Sequence, residues 1–299
     1  MIKESFSRKC FNVFNVILML AIVVLMVFPY LHVLAKALND GADTARGGIT
    51  IFPRVFTLEN FKTVIEDSAF PRAFMVSVSR VILGTIISVM IQFMAAYAFM
   101  KKDLAGRGIL KVILLIPMYF GGGLIPTYIF YANTKLLNNY LLYVLPMSFS
   151  IYNMTIIQSY LESIPASLAE AAKLDGAGEF AVFWRIIIPL AKPIMATVSL
   201  WSVVGLWSEW TTTMYFFTKK KMFTLQYILV QLLKETERIQ AMLREAMMRG
   251  DDLSQIQFNV TPEAIQCAQI IVTTIPIIIV YPFLQKYFIQ GTTVGAVKD

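Results

Sequence analysis

The sequence predicts an all-α integral membrane protein. Three observations predict it. The chain is 57% hydrophobic and only 15% charged, with mean hydropathy +0.65, whereas soluble domains carry roughly 25% charged residues. Its apolar residues gather into six charge-poor runs. A short alanine-rich segment broken by glycine separates the fourth run from the fifth. The net charge of +7 would suit nucleic acid or anionic lipid. In a chain this apolar, basic residues are better read as flanks that orient spans, so membrane lipid and not nucleic acid is the expected environment. Cys10, Cys267 and His32 supply neither a metal cluster nor a disulfide framework.

A helix crosses ~30 Å of hydrocarbon with about 20 apolar residues. Runs of that length lie at 11–35, 81–100, 112–134, 136–161, 193–218 and 264–285. Only the fifth contains an acid, Glu209, and His32 ends the first. An even number of crossings puts both termini on one side. Lys3, Arg8 and Lys9 precede the first run, and Lys101, Lys102, Arg107 and Lys111 crowd the short turn between the second and third. Basic residues in short loops mark the cytoplasm, and long loops count little. The expected layout is a cytoplasmic N-terminus at 1–10, a six-span domain at 11–290 and a cytoplasmic tail at 291–299. A hairpin at 162–192 lies inside and a loop at 218–262 outside, in a bacterial cytoplasmic (inner) membrane. The first run, at about 24 residues, is long for a cleaved signal.

Between the spans the signals are local. Thr57 is a candidate cap for the helix in "TLENFKTVIED". The stretch "TLQYILVQLLKETERIQAMLREAMMRGDD" reads as an amphipathic helix ended by Gly250. In "SIPASLAEAAKLDGAGEFAVFWRIIIPL", Ser163 is a candidate cap and Pro165 suits a first helical turn. Gly176 stands where a left-handed C-terminal residue is wanted. A second helix starts with Glu179 in its first turn and runs to Pro189. Leu168, Ala171, Ala172 and Asp175 share one face by helical spacing, and small side chains there permit close approach to another surface. About 2–8 residues would suffice merely to join two helices, so the hairpin reads as a plug for a groove in a soluble partner, or as an interfacial helix.

The residues "EAAKLDGAGEFAVFWRIIIP" resemble the EAA loop of permease subunits of binding-protein-dependent ABC importers. That pattern is Glu-Ala-Ala, three residues, Gly, nine residues, Ile, one residue, Leu-Pro. Glu170, Ala171, Ala172, Gly176, Ile186 and Pro189 fall in register, Asp175 and Ala177 match a common "DGA" core, and Ile188 replaces the Leu. "GGGLIPTYIFY", "WSEW", "TLQYIL" and the tail "QKYFIQGTTVGAVKD" resemble carbohydrate permeases similar to the smaller subunit of the maltose importer. Many members of that group have Asn where Ser208 stands.

The resemblance implies a type I ABC importer permease fold with six transmembrane helices and a cytoplasmic coupling-helix hairpin. It implies ATPase coupling through Glu170, Ala171, Ala172, Asp175, Gly176, Ala177 and Pro189, and import of an oligosaccharide by alternating access. The implied partners are a second homologous permease subunit, two ATPase subunits and an extracytoplasmic substrate-binding protein. The sequence holds no GxxxxGK[ST]. The chain is therefore expected to be no enzyme and to carry no cofactor, with ATP and Mg bound by the partner ATPase subunits. Glu170 is expected to hold the bend or to contact the ATPase.

Sugars are held by aromatic faces and hydrogen-bonding groups. Tyr119, Tyr152, Asn153, Trp207, Glu209 and Trp210 are the candidates for a substrate path, and Glu209 is the acid inside a span. Pro117 and the three glycines 121–123 break the third span, for close packing or for an unwound substrate segment. Two other classes remain in view. An ion-coupled secondary transporter needs ionisable groups at mid-membrane and matching halves, whereas Arg80 and Glu209 stand near span ends. A membrane scaffold or sensor would need no ATPase. An intramembrane enzyme is disfavoured, since HExxH and GxSxG are absent.

Overall fold

The computed structural model describes residues 6–66, 69–249 and 262–296. Within these residues the chain is helical and forms no strand. The elements in order are α1 (Phe6–Ala37), α2 (Gly41–Ala45), α3 (Glu59–Glu66), α4 (Ala69–Met100), α5 (Arg107–Tyr119) and α6 (Leu124–Asn133). A 3-10 turn at Tyr140–Tyr143 follows, then α7 (Ile151–Leu161), α8 (Ala166–Leu174), α9 (Glu179–Val182), a π turn at Phe183–Ile187 and α10 (Ile188–Leu190). The chain continues as α11 (Lys192–Ser208), α12 (Thr211–Phe216), α13 (Leu225–Arg249) and α14 (Pro262–Ala296). Gly250, expected to end the amphipathic helix, and the tail's last three residues lie outside the described residues.

Two compact units divide the chain, Met1–Phe70 with Leu229–Ile275, and Pro71–Ile228 with Pro276–Asp299. In the first, α1 leaves every side chain of residues 7–31 exposed, an apolar cylinder fit for lipid or a partner helix. Its last turn is anchored: Ala37 packs with Val64, Cys267 and Ala268, and Lys36 pairs with Glu263 at 2.7 Å. Buried Asn39 accepts from the Arg54 and Val55 amides and donates to Thr44 Oγ1. Thr57 accepts from the Glu59 amide as its capping role requires. His32 stacks on Phe28 and its Nδ1 lies 2.8 Å from the Thr50 carbonyl oxygen, an interfacial packing role.

The second unit is built on α4. Its buried face includes a stripe of small and polar residues at helical spacing, Ala73, Ser77, Arg80, Gly84, Ser88, Gln92 and Ala96, flanked by Val81, Val89, Phe93, Tyr97 and Phe99. Apolar side chains gain little from leaving lipid for one another, so close backbone approach and interhelical hydrogen bonds must do the packing. A Cβ on Gly84 would come within 2.8 Å of Leu206 Cδ1, which marks the α4–α11 approach. Toward the other end Phe93, Met154, Ile157, Leu161, Val182 and Val198 close a core from α4, α7, α9 and α11.

Among the described residues three helices are long and apolar enough to cross a membrane, at Ser7–Ala37, Ala69–Met100 and Glu263–Pro282. The count becomes five if each of two bent pairs is one span: α5 with α6, bent by 116°, and Glu179–Leu190 with α11, bent by 80°. The third apolar run is thus a broken helix, whereas the 80° bend falls at Ala191, just before the fifth run, whose first part is α11. Run 136–161 is not one spanning helix, as the sequence had suggested. Asn139 caps the 3-10 turn by accepting from the Leu141 amide. Asn138 adopts a left-handed φ of 55° and accepts from the Thr218 amide. Only α7's 11 residues are regular helix, roughly half the ~30 Å hydrocarbon thickness. Apolar composition marked the run, and the two asparagines redirected its backbone.

Candidate functional site: a clamped hairpin and a polar groove

The hairpin's elbow is a complete Schellman motif. Gly176 has φ +86°, its amide donates to the Lys173 carbonyl, and the Ala177 amide donates to the Ala172 carbonyl. An L residue at that φ is strained by its Cβ, so glycine here is a conformational requirement; the space around it is open. The entry differs from the sequence expectation. α8 starts one residue after Pro165, which occupies the cap position without a side-chain bond, while the Ser163 hydroxyl donates back to the Tyr160 carbonyl. The preceding turn, closed by a backbone bond from Ile164 to Leu161, leaves Ser163 facing the wrong way to cap.

The expected common face of α8 is split. Ala169, Ala172 and Ala177 pack against the bundle core. Leu168, Ala171 and Asp175 face outward, as does Glu170. Leu174 is 90% exposed and Phe180 76%, so two large apolar side chains stand out at the elbow. Pro189 is exposed in α10.

Glu179, not Glu170, holds the bend. Its carboxylate accepts from Lys101 Nζ at 2.8 Å, from Lys173 Nζ, and from the Tyr97 hydroxyl at 2.5 Å. Tyr97 packs its ring on Phe183 at 5.3 Å and carries Lys101 over its face at 4.6 Å. Both arms of the hairpin are therefore tied to the end of α4. The Lys101 and Lys173 ammonium groups, with the Tyr97 hydroxyl, hold the Glu179 carboxyl down at about 2, from 4.5. A depressed carboxyl stabilises the fold above its ordinary value and loses that effect as pH falls toward the lowered one. Amide protection of residues 173–180 should thus be flat from neutral pH to about 4.5 and fall toward pH 2. Glu179→Gln should show the reduced protection already at neutral pH, as measured by hydrogen exchange corrected for intrinsic rates.

The expected substrate-path residues do not form one site. Trp207 is buried, edge-on to Phe74 at 6.2 Å, and lines a wholly apolar cavity of about 230 Å³ with Val78, Val81 and Pro276. Tyr119 is exposed at the end of α5, beside the glycine break. Trp210 is half-buried at the start of α12. Glu209 is bound by Arg80, whose side chain is 1% exposed. Arg80 Nη2 pairs with Glu209 Oε2, Nη1 donates to the Glu209 carbonyl at 2.9 Å, and the guanidinium lies 4.8 Å from the Tyr143 ring centre. The other carboxylate oxygen accepts from the Thr212 amide at 2.6 Å and the Thr211 hydroxyl at 2.5 Å. Arg80 therefore does not stand free at a span end; it is the buried half of an ion pair.

Asn153 alone of the six lines a polar groove of about 200 Å³. Ser88 and Gln92 of α4, Ser150 before α7, and Trp201 and Ser202 of α11 form its other functional walls. Tyr152, half exposed, lies beside it with its ring 6.3 Å from Trp201. Composition alone did not single out Ser88 and Gln92. Their signal was available: both are polar residues inside an uncharged run, four residues apart, and so on one helix face.

The geometry has counterparts among known proteins. Residues 84–294 match the family described as "Binding-protein-dependent transport system inner membrane component". Protein LplC of Bacillus subtilis (strain 168) is 33% identical over 294 residues, covering 98% of this chain and 96% of that one. The "Polygalacturonan/rhamnogalacturonan transport system permease protein YtcP" of the same organism is 30% identical over 287 residues, covering 96% of each. The crystal structure of a bacterial ABC transporter involved in the import of the acidic polysaccharide alginate contains a chain with TM-score 0.83 and 26% identity to this one. That match covers 96% of this chain and 100% of the other. By these matches the chain belongs to the binding-protein-dependent transport system inner membrane components, and it is the membrane-embedded, non-enzymatic permease subunit of an ABC importer.

Proposed function

We propose that this permease subunit forms one half of the pathway by which an oligosaccharide enters the cytoplasm, and that hairpin 163–189 is the lever through which ATP drives it. The observation that carries the reading is the hairpin's construction. A glycine-dependent elbow and a three-donor carboxylate clamp hold it rigid, while Leu174 and Phe180 stand exposed at its tip. Exposed large apolar groups on a charged, rigid knob suit a hydrophobic pocket in a partner. That partner is a pair of ATPase subunits, which bind ATP and Mg. Glu170, Ala171, Asp175, Gly176 and exposed Pro189 belong to the docking edge; Ala172 and Ala177 fix the knob to the bundle. When the ATPases close, the hairpin moves as a unit. The clamp on Tyr97 and Lys101 passes that motion to α4, which opens the pathway outward.

The sugar cargo is supported by the relatives, which are named for polygalacturonan and rhamnogalacturonan transport or solved as an alginate importer. A second homologous permease and an extracytoplasmic binding protein complete the assembly. Six crossings, with both termini and the hairpin cytoplasmic in the bacterial inner membrane, follow if 136–161 makes the fourth crossing with α7 as its inner half. The domain limits 1–10, 11–290 and 291–299, with the outer loop at 218–262, go with that layout.

The test is purification of the complex from its native membrane. The ATPase pair should copurify, and substrate-loaded binding protein should raise its ATP turnover. Leu174→Asp and Phe180→Asp should leave the chain inserted yet release the ATPase. Retention of the ATPase by both variants, or labelling of residues 163–189 from outside the cell, would sink the lever.

A further inference from the structure

We propose that the polar groove of the permease is a sugar subsite that takes one uncharged ring of the cargo, reading its hydroxyls through Gln92 and its apolar face through Trp201. This deepens the importer reading and rests on it.

Gln92 is fully buried on the groove wall. Its amide nitrogen is committed to Ser88 Oγ, while its amide oxygen has no hydrogen-bond partner. A buried acceptor without a donor is unfavourable, and because Gln92 is 0% exposed a donor in the groove relieves it once the amide turns toward the groove. Sugar hydroxyls are such donors. Ser150, Asn153 and Ser202 add groups that both donate and accept, which matches the dual character of a hydroxyl. Trp201, 40% exposed, and Tyr152 offer aromatic faces beside them, and the C–H face of a sugar ring packs on such surfaces. A few convergent polar groups beside aromatic area make a ligand site. At about 200 Å³ the groove is smaller than the roughly 300–1,000 Å³ of sites that enclose a whole drug-sized molecule, so it holds one ring of a longer chain.

Charge sets the class of that ring. Among the described residues no Lys, Arg, Asp or Glu lines the groove. The nearby cation is Arg80, which touches Met147 from behind, with Nη2 3.7 Å from its Sδ, and is occupied by Glu209. A uronate carboxylate entering here would lose its water and meet no counter-charge. The permease thus contacts hydroxyls, and Glu209 keeps the adjacent arginine from attracting acids.

The test uses the whole complex, with its sister permease, ATPases and binding protein, in liposomes. The probes are a neutral tetrasaccharide, arabinotetraose, and an acidic one, tetragalacturonate. The neutral sugar should be imported. Gln92→Leu and Trp201→Leu should each raise its KM about tenfold, the loss of one good contact in a dry site, with maximal ATP turnover little changed. Ser202→Cys keeps the test independent of packing damage: arabinotetraose should slow its alkylation at least about fivefold, as a bound ligand shields a wall. Unchanged KM in both variants, unslowed alkylation, or uptake of the acidic sugar alone would overturn the subsite while leaving an importer. No ATP-dependent uptake of either sugar by the wild-type complex would bring down the oligosaccharide cargo proposed above, and the subsite with it.

Discussion

Arg80→Ala is expected to be the most destabilising single change in the bundle. It leaves the Glu209 carboxylate, 14% exposed, without its counter-charge, and breaking a buried pair from one side costs about 3–5 kcal/mol. The Tyr143 ring loses its cation as well. Glu209→Gln is costly for the same reason: its amide oxygen still accepts from the Thr212 amide at the start of α12, but Arg80, 1% exposed, is then charged, buried and without a counter-charge. Arg80→Met with Glu209→Gln removes both charges and keeps the Thr212 contact, so the double variant should recover more than half of the loss. Thermal unfolding of the purified complex measures all three. A double variant no more stable than Arg80→Ala would show that the pair's value lies in something other than mutual neutralisation.

Gly176→Pro is expected to abolish transport while the chain still inserts. Proline fixes φ near −65° and has no N–H, whereas the elbow needs φ +86° and a donor to the Lys173 carbonyl. Gly176→Ala separates the two requirements. It keeps the donor and finds open space for its Cβ, so only the left-handed conformation opposes it, at roughly 1–2 kcal/mol. If that falls on the productive hairpin geometry, coupled uptake drops about 5- to 30-fold. ATP hydrolysis by the assembled complex should persist in both variants without stimulation by loaded binding protein. Normal sugar uptake by Gly176→Pro would remove the elbow from the mechanism.

The broad class was legible because the membrane imposes one-dimensional rules. Charge-free length reports a span, and a run of basic residues in a short loop reports a side. The elbow was legible too, since Gly176 after ten helix-forming residues is a local demand of backbone sterics. Glu179 was visible only as a first-turn acid. That Lys101, 78 residues away, and Tyr97, 82 residues away, converge on it is long-range information that no spacing rule carries. The same holds for Arg80 and Glu209, which are 129 residues apart and looked like two separate rim charges. Run 136–161 misled for the opposite reason: hydropathy counts side chains, and the break was made by asparagine side chains capping backbone.

Reading along the chain was enough for a helical membrane protein, its main apolar segments, and a glycine elbow between the fourth and fifth. Periodicity, charge and φ preference are properties of neighbours along the chain, and these features need nothing more. It took the packed helices to fix which carboxylate clamps the hairpin, which face of α8 is left free, and which of the aromatic and polar residues share a groove. Those are settled by helices packing side by side on a stripe of small and polar residues, where each contact depends on a partner many turns away.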